Sequence, residues 1–108
     1  MFVRVARFEG LDTSNLEADM EQFRQMVRME QRPEGMDEQV FQTLREGVKR
    51  FMSLVDRERG MSLDLTFTAS EADAQRVHEA LDTLTPPEGS GRRTNVETYE
   101  LMLDEQLG

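Results

Sequence analysis

Residues 53–74, SLVDRERGMSLDLTFTASEADA, hold two apolar runs, a charged turn and the start of a helix in unbroken succession. Met61, Leu63, Leu65 and Phe67 alternate with Ser62, Asp64, Thr66 and Thr68, the period of two that places side chains on opposite faces of a β-strand. Residues 48–56 read as the strand before it, and Asp56-Arg57-Glu58-Arg59-Gly60 as the turn between the two. Ser70 and Asp73 resemble a capping box, so a helix is predicted over about 70–84, with Ala74, Val77, Leu81 and Leu84 as its buried stripe. A hairpin that runs straight into a helix is expected where a right-handed crossover must carry the chain back over its own sheet.

Working outward from the hairpin, the same physics assigns the rest. FVRVARF (2–8) is rich in β-branched and aromatic residues and reads as a strand. Val3, Val5 and Arg7 share one face; Phe2, Arg4, Ala6 and Phe8 share the other. Gly10 and Asp12 mark a turn. Ser14 and Glu17 have capping-box spacing, and Leu16, Met20, Phe23 and Val27 then recur at helical intervals. Acidic residues crowd the first turns, and Arg24, Arg28 and Arg32 come late, as the helix dipole favours. RPEGMD (32–37) ends that helix. Residues 37–46 form a short second helical piece with Val40, Phe41 and Leu44 on one side, closed by Gly47. TPPEGSGRR (85–93), with two prolines and two glycines, is irregular, and 94–103 is the last strand.

The resulting order is βαββαβ. It predicts an α+β, ferredoxin-like domain: a four-stranded antiparallel sheet with helices on one face. The chain has 108 residues and no sign of a repeat or second unit, so 1–108 is read as a single domain.

Composition limits the function classes. The formal net charge is -9, which argues against nucleic acid and against anionic membrane surfaces as partners. There are no cysteines, so disulfides, thiol nucleophiles and Cys-based metal sites are excluded. One histidine, His78, excludes a multi-histidine metal site. No apolar run approaches the roughly 20 residues of a membrane span, and the N-terminus lacks the pattern of a signal peptide. A cytoplasmic protein is expected.

Residues 47–76 resemble the dimeric α/β-barrel proteins related to the antibiotic biosynthesis monooxygenases. Members of that group often read Gly-Phe-Lys, an apolar strand ending Leu-x-Asp-Arg, a Gly turn, and a second strand ending Trp-x-Ser-Glu. Here these are Gly47-Val48-Lys49, Leu54-Val55-Asp56-Arg57, Gly60 and Thr68-Ala69-Ser70-Glu71, while Tyr99 sits where the last strand of such proteins often carries Tyr. The resemblance implies a homodimer in which two sheets pack face to face. That agrees with apolar residues on both faces of the first strand, since helices cover only one. It also implies a pocket between sheet and helices where oxygen chemistry proceeds without an organic cofactor or metal. The chain departs from the pattern in having no Trp: Thr68 stands at that position, and Arg7 stands near the first-strand position that holds Asn in haem-degrading members.

The candidate pocket residues are accordingly Arg7, Thr68, His78 and Tyr99. His78 is the natural proton carrier, or else a helix-flank histidine packed against Ala74 and Leu81. Arg7 can receive a carboxylate or pair with Glu9 or Glu97 at the sheet edge. Tyr99 can donate to a ligand or sit in the core with its hydroxyl at the rim. Asp56 and Arg57 are explained by the turn. Arg92 and Arg93 are solvated charge, or else meet an anionic ligand or the partner subunit. The eight methionines read as adaptable packing.

Three functions remain. The first is a non-catalytic small-molecule-binding or regulatory homodimer, its ligand small and apolar or aromatic; the missing Trp puts it ahead. The second is a cofactor-independent monooxygenase or related enzyme in which Arg7, His78 and Tyr99 orient an acidic aromatic or polyketide-like substrate. The third is a purely structural dimer. One conflict stays open. If Thr68 faces the helices, as the resemblance implies, so does Asp64, and the Leu63/Leu65 stripe faces away; burial alone would choose the reverse.

Overall fold

A computed structural model describes residues 1–28, 30–86 and 89–108. The chain runs β1 (Phe2–Glu9), α1 (Leu16–Val27), α2 (Glu38–Gly47), β2 (Arg50–Asp56), β3 (Met61–Thr68), α3 (Glu71–Asp82) and β4 (Arg92–Glu100). The four strands form one sheet in the order β2-β3-β1-β4, every pair antiparallel. This is the ferredoxin-like arrangement expected from the element order, with α2 added ahead of the hairpin.

The hairpin that decides the fold forms as its pattern requires. Asp56 pairs with Met61 and Arg50 with Phe67. Gly60 closes the turn at φ +61, a left-handed conformation that favours glycine. Asp56 stabilises the turn by accepting from the Arg59 backbone N–H (3.1 Å) and Nε–H (2.7 Å). Asp56 thus serves the turn, while the Arg57 guanidinium pairs with Glu17 of α1. Ser70 caps α3 by accepting from the Asp73 N–H at 3.1 Å.

Three boundaries differ from expectation. α1 begins at Leu16 behind Asn15, which makes no side-chain cap. Ser14 is drawn away from capping because its N–H and hydroxyl both donate to Asp12 Oδ1, at 3.0 and 2.7 Å, in a local turn. β2 begins at Arg50 rather than Val48, because α2 extends to Gly47. β4 spans Arg92–Glu100 rather than 94–103: Arg92 and Arg93 already pair with Glu9 and Phe8, across a bulge after Arg7. Two residues of the irregular segment expected over 85–93, Pro87 and Glu88, lie outside the described residues, as does Met29.

The core sits on one side of the sheet, where α2 and α3 pack together. Leu44, Val77 and Ala80 are its buried centre, surrounded by Met36, Val40, Val48, Leu81 and Leu84. Gly47 permits the close approach of these helices: a Cβ there would stand 2.6 Å from Val77 Cγ2. α1 is held more lightly. Leu16 is its buried residue, and Phe23 meets Phe51 of β2 with ring centroids 5.1 Å apart.

Candidate functional site

The register resolves which face the helices cover. Arg4 donates from Nε to Nδ1 of His78 on α3 at 3.0 Å, so the even-numbered residues of β1 face the helices. Arg4 is opposite Thr66, Ala6 opposite Asp64, and Phe8 opposite Ser62. The polar set of β3 therefore points inward, with Phe51, Ser53 and Val55 of β2 beside it. The apolar set of Leu63 and Leu65 lies on the far face with Val5, Arg7, Met52 and Leu54.

This inverted polarity is tolerated because the inward polar groups find partners. Thr68, fully buried, donates to the carbonyls of Phe2 and Ser70, both at 3.3 Å. Ser53 Oγ donates to Asp64 Oδ1 at 2.9 Å. Arg4 is only 5% exposed. Burial, then the nearby Arg93, makes its guanidinium easier to deprotonate than usual, while Asp82 and Asp64 act the other way. Burial pushes the Asp64 carboxyl above the ordinary carboxylate range, opposed by the Ser53 hydrogen bond and the charge of Arg4. Asp82 is solvent-exposed, and its hydrogen bond from Arg93 (2.5 Å) draws its carboxyl below that range. Arg93 thus binds α3 to β4 rather than standing as a solvated charge.

Between α1 and the sheet lies a cleft of about 60 Å³. Its floor is polar: Ser53, Ser62 and Asp64. Its walls are apolar, with Leu16, Met20 and Phe23 from α1 and Phe8 from β1, and Asp19 stands at its rim. Two backbone hydrogen bonds draw the neighbouring loops together at this end of the sheet, from Leu11 N–H to Gly60 O (2.8 Å) and from Asp12 N–H to Gly89 O (2.9 Å). Chemically, the cleft offers an apolar enclosure over hydroxyls and one carboxyl.

The four residues singled out from the sequence divide between the two faces. Thr68 and His78 lie on the helix side, but neither lines the cleft. Arg7 and Tyr99 lie on the opposite face, where with Val5, Leu63, Asn95 and Glu97 they border a hollow of about 190 Å³. Within one chain, then, Arg7, His78 and Tyr99 do not converge on one substrate. The reason is parity: Arg7 is an odd residue of β1, and Tyr99 pairs with Val3. Within one chain Tyr99 is 53% exposed, and its hydroxyl donates to Glu97. His78 is half-buried, and its Nδ1 accepts from Arg4 Nε.

Sequence reasoning passed over Arg4 and the Ser53–Asp64 pair. Their signal was present: Arg4 interrupts an apolar strand, and Asp64 sits mid-strand between hydroxyl residues. Among the described residues, no group of three or more acidic or histidine side chains is placed to hold a metal ion, and no helix is long and apolar enough to cross a membrane.

No protein-family profile and no characterised sequence matches the chain. Among solved structures, the chain is similar to a point mutant of MhuD with two manganese protoporphyrin IX molecules bound per active site. The TM-score is 0.57 at 12% identity, over 98% of this chain and 99% of that one. Identity this low speaks for fold alone. The likeness agrees with the ferredoxin-like fold expected from the sequence.

Proposed function

We propose that the protein is a non-catalytic, homodimeric single-domain module of the cytoplasm that binds a small, largely apolar or aromatic molecule in the cleft beneath α1. One observation carries the reading. The inner face of the sheet places Ser53, Ser62 and Asp64 under an apolar lid that does not close on them. Packing for stability alone would fill such a space. The cleft has the lining of a ligand pocket, mostly apolar with a few convergent polar groups, and at about 60 Å³ it takes a whole aromatic molecule as α1 moves outward. The fold neighbour binds porphyrins at its active site, which supports ligand binding by this architecture. The separation of Arg7 and Tyr99 from His78 supports the non-catalytic reading over the oxygenase. Titration with a library of small aromatic compounds, followed by amide NMR, tests it: bound compounds shift Met20, Phe23 and Ser53. Shifts confined to the far face, or turnover of a compound with oxygen consumption, would overturn it.

The homodimer rests on the far face. Val5, Met52, Leu54, Leu63 and Leu65 present an apolar stripe there, with Leu54 52% exposed. Beyond β4, Met102 and Leu103 are each 80% exposed. A second copy covering this face removes that surface from water. Leu65→Asp, on the central strand pair, is expected to abolish dimerisation in sedimentation experiments or to prevent folding. A folded dimer of this variant would mean that the two sheets do not meet here.

A further inference from the structure

The floor of the cleft has a more definite chemistry than a general apolar pocket requires. Asp64 has one carboxylate oxygen, Oδ1, engaged by Ser53 at 2.9 Å. Among the described residues none donates to Oδ2, and no buried side-chain oxygen or nitrogen is left without a partner, so Oδ2 opens to the cleft rather than being sealed in protein. The charge of Arg4 acts on Asp64, but Arg4 donates through Nε to His78 and does not line the cleft. No basic side chain lines the cleft, and its second ionisable group, Asp19 at the rim, is also an acid. Phe8 and Phe23 present rings to the same space.

We propose that the cleft selects an organic cation: a primary amine carried on a small aromatic or apolar body, with the ammonium against Asp64 Oδ2. This rests on the small-molecule reading above. The ammonium makes a charge-assisted hydrogen bond to a carboxylate that lacks a full set of partners. Its remaining donors face the hydroxyl of Ser62 and the rings, whose faces attract cations. The apolar body lies between Met20 and Phe23. A neutral ligand leaves Oδ2 without a donor, and an anionic one meets two carboxyl groups with no basic side chain among those lining the cleft. The net charge of -9 favours the approach of a cation in the same sense.

The test uses three matched probes, 2-phenylethylamine, 2-phenylethanol and phenylacetate, titrated by calorimetry and amide NMR. The amine is expected to bind at least tenfold tighter than the alcohol, and phenylacetate not detectably. Asp64→Asn should erase the amine's advantage while leaving the alcohol's affinity within about twofold. Asp19→Asn, at the exposed rim, should reduce the advantage by about two- to threefold. Equal binding of amine and alcohol in the cleft would overturn the cation inference and leave the small-molecule reading standing. An amine preference that persists in a folded Asp64→Asn protein would also overturn it. If none of the three moves the signals of Met20, Phe23 or Ser53, both fall.

Discussion

The two halves of the helical layer rest on one sheet but are built differently. α2 and α3 meet through Leu44, Val77 and Ala80, close enough that Gly47 has no room for a side chain. α1 buries Leu16, leans Phe23 on Phe51, and leaves a cleft over Ser53, Ser62 and Asp64. The first half is packed as interiors are packed, in mutually fitted apolar side chains. The second stops short of closure over groups that favour polar company. Stability and the proposed binding site are thus assigned to different helices of one small domain. The helix less tightly packed is the one that can shift to admit a guest.

The contrast can be broken or sharpened by substitution. Leu44→Ala opens a cavity in the tight half and is expected to cost about 2–5 kcal/mol, read as a fall in the denaturant midpoint with unchanged slope. A loss below about 1 kcal/mol would mean the α2–α3 core is not the main support. Phe23→Ala removes a half-buried ring and an aromatic contact, so about 1–2 kcal/mol is expected. Its more telling signature is local: amide hydrogen exchange should quicken across α1 and leave α2 and α3 unchanged. Uniform quickening would show that α1 is bound into the same cooperative unit as the rest.

The smallest effect concerns pH. Burial raises the affinity of Asp64 for its proton in the folded chain. Between its ordinary value and the raised one, the folded state therefore holds more protons than the unfolded state. Asp64 accordingly takes stability away as pH rises through that window. Asp64→Asn removes the slope, so the variant should gain on the parent from acid toward neutral pH, the gap closing again as pH falls to the ordinary carboxylate value. A pH profile of the thermal midpoint parallel to the parent's would mean that the floor of the cleft is wetter than its burial implies.

Much of the frame could be read from local chemistry. The alternation over Met61–Thr68, the turn before it and the serine cap after it are decided within a few residues of one another, and all three are present. The failures had two origins, one local and one long-range. Ser14 had capping spacing but bonded Asp12 instead, and an early β4 came from long-range pairing with Glu9 that no nearby residue announces. The candidate site was less legible. Arg7, Thr68, His78 and Tyr99 were brought together by resemblance to a pattern, whereas strand parity separates them. The cleft residues Met20 and Phe23 come from α1 and Ser53 from β2. They meet only because α1 lies across that strand, a placement without a short motif.

The amino-acid sequence by itself determined the order of strands and helices, the hairpin and the two sets of residues on each strand, because periodicity and turn chemistry act over a few residues. It did not determine which set lies inside. Both faces of β1 carry apolar side chains, and on β3 burial alone would have turned Leu63 and Leu65 inward. The tertiary structure turned Ser62, Asp64, Thr66 and Thr68 inward instead. Two ladders fix that parity for a whole strand at once. The cost of burying those polar groups is met by Ser53, by the carbonyls of Phe2 and Ser70, and by the open floor of the cleft.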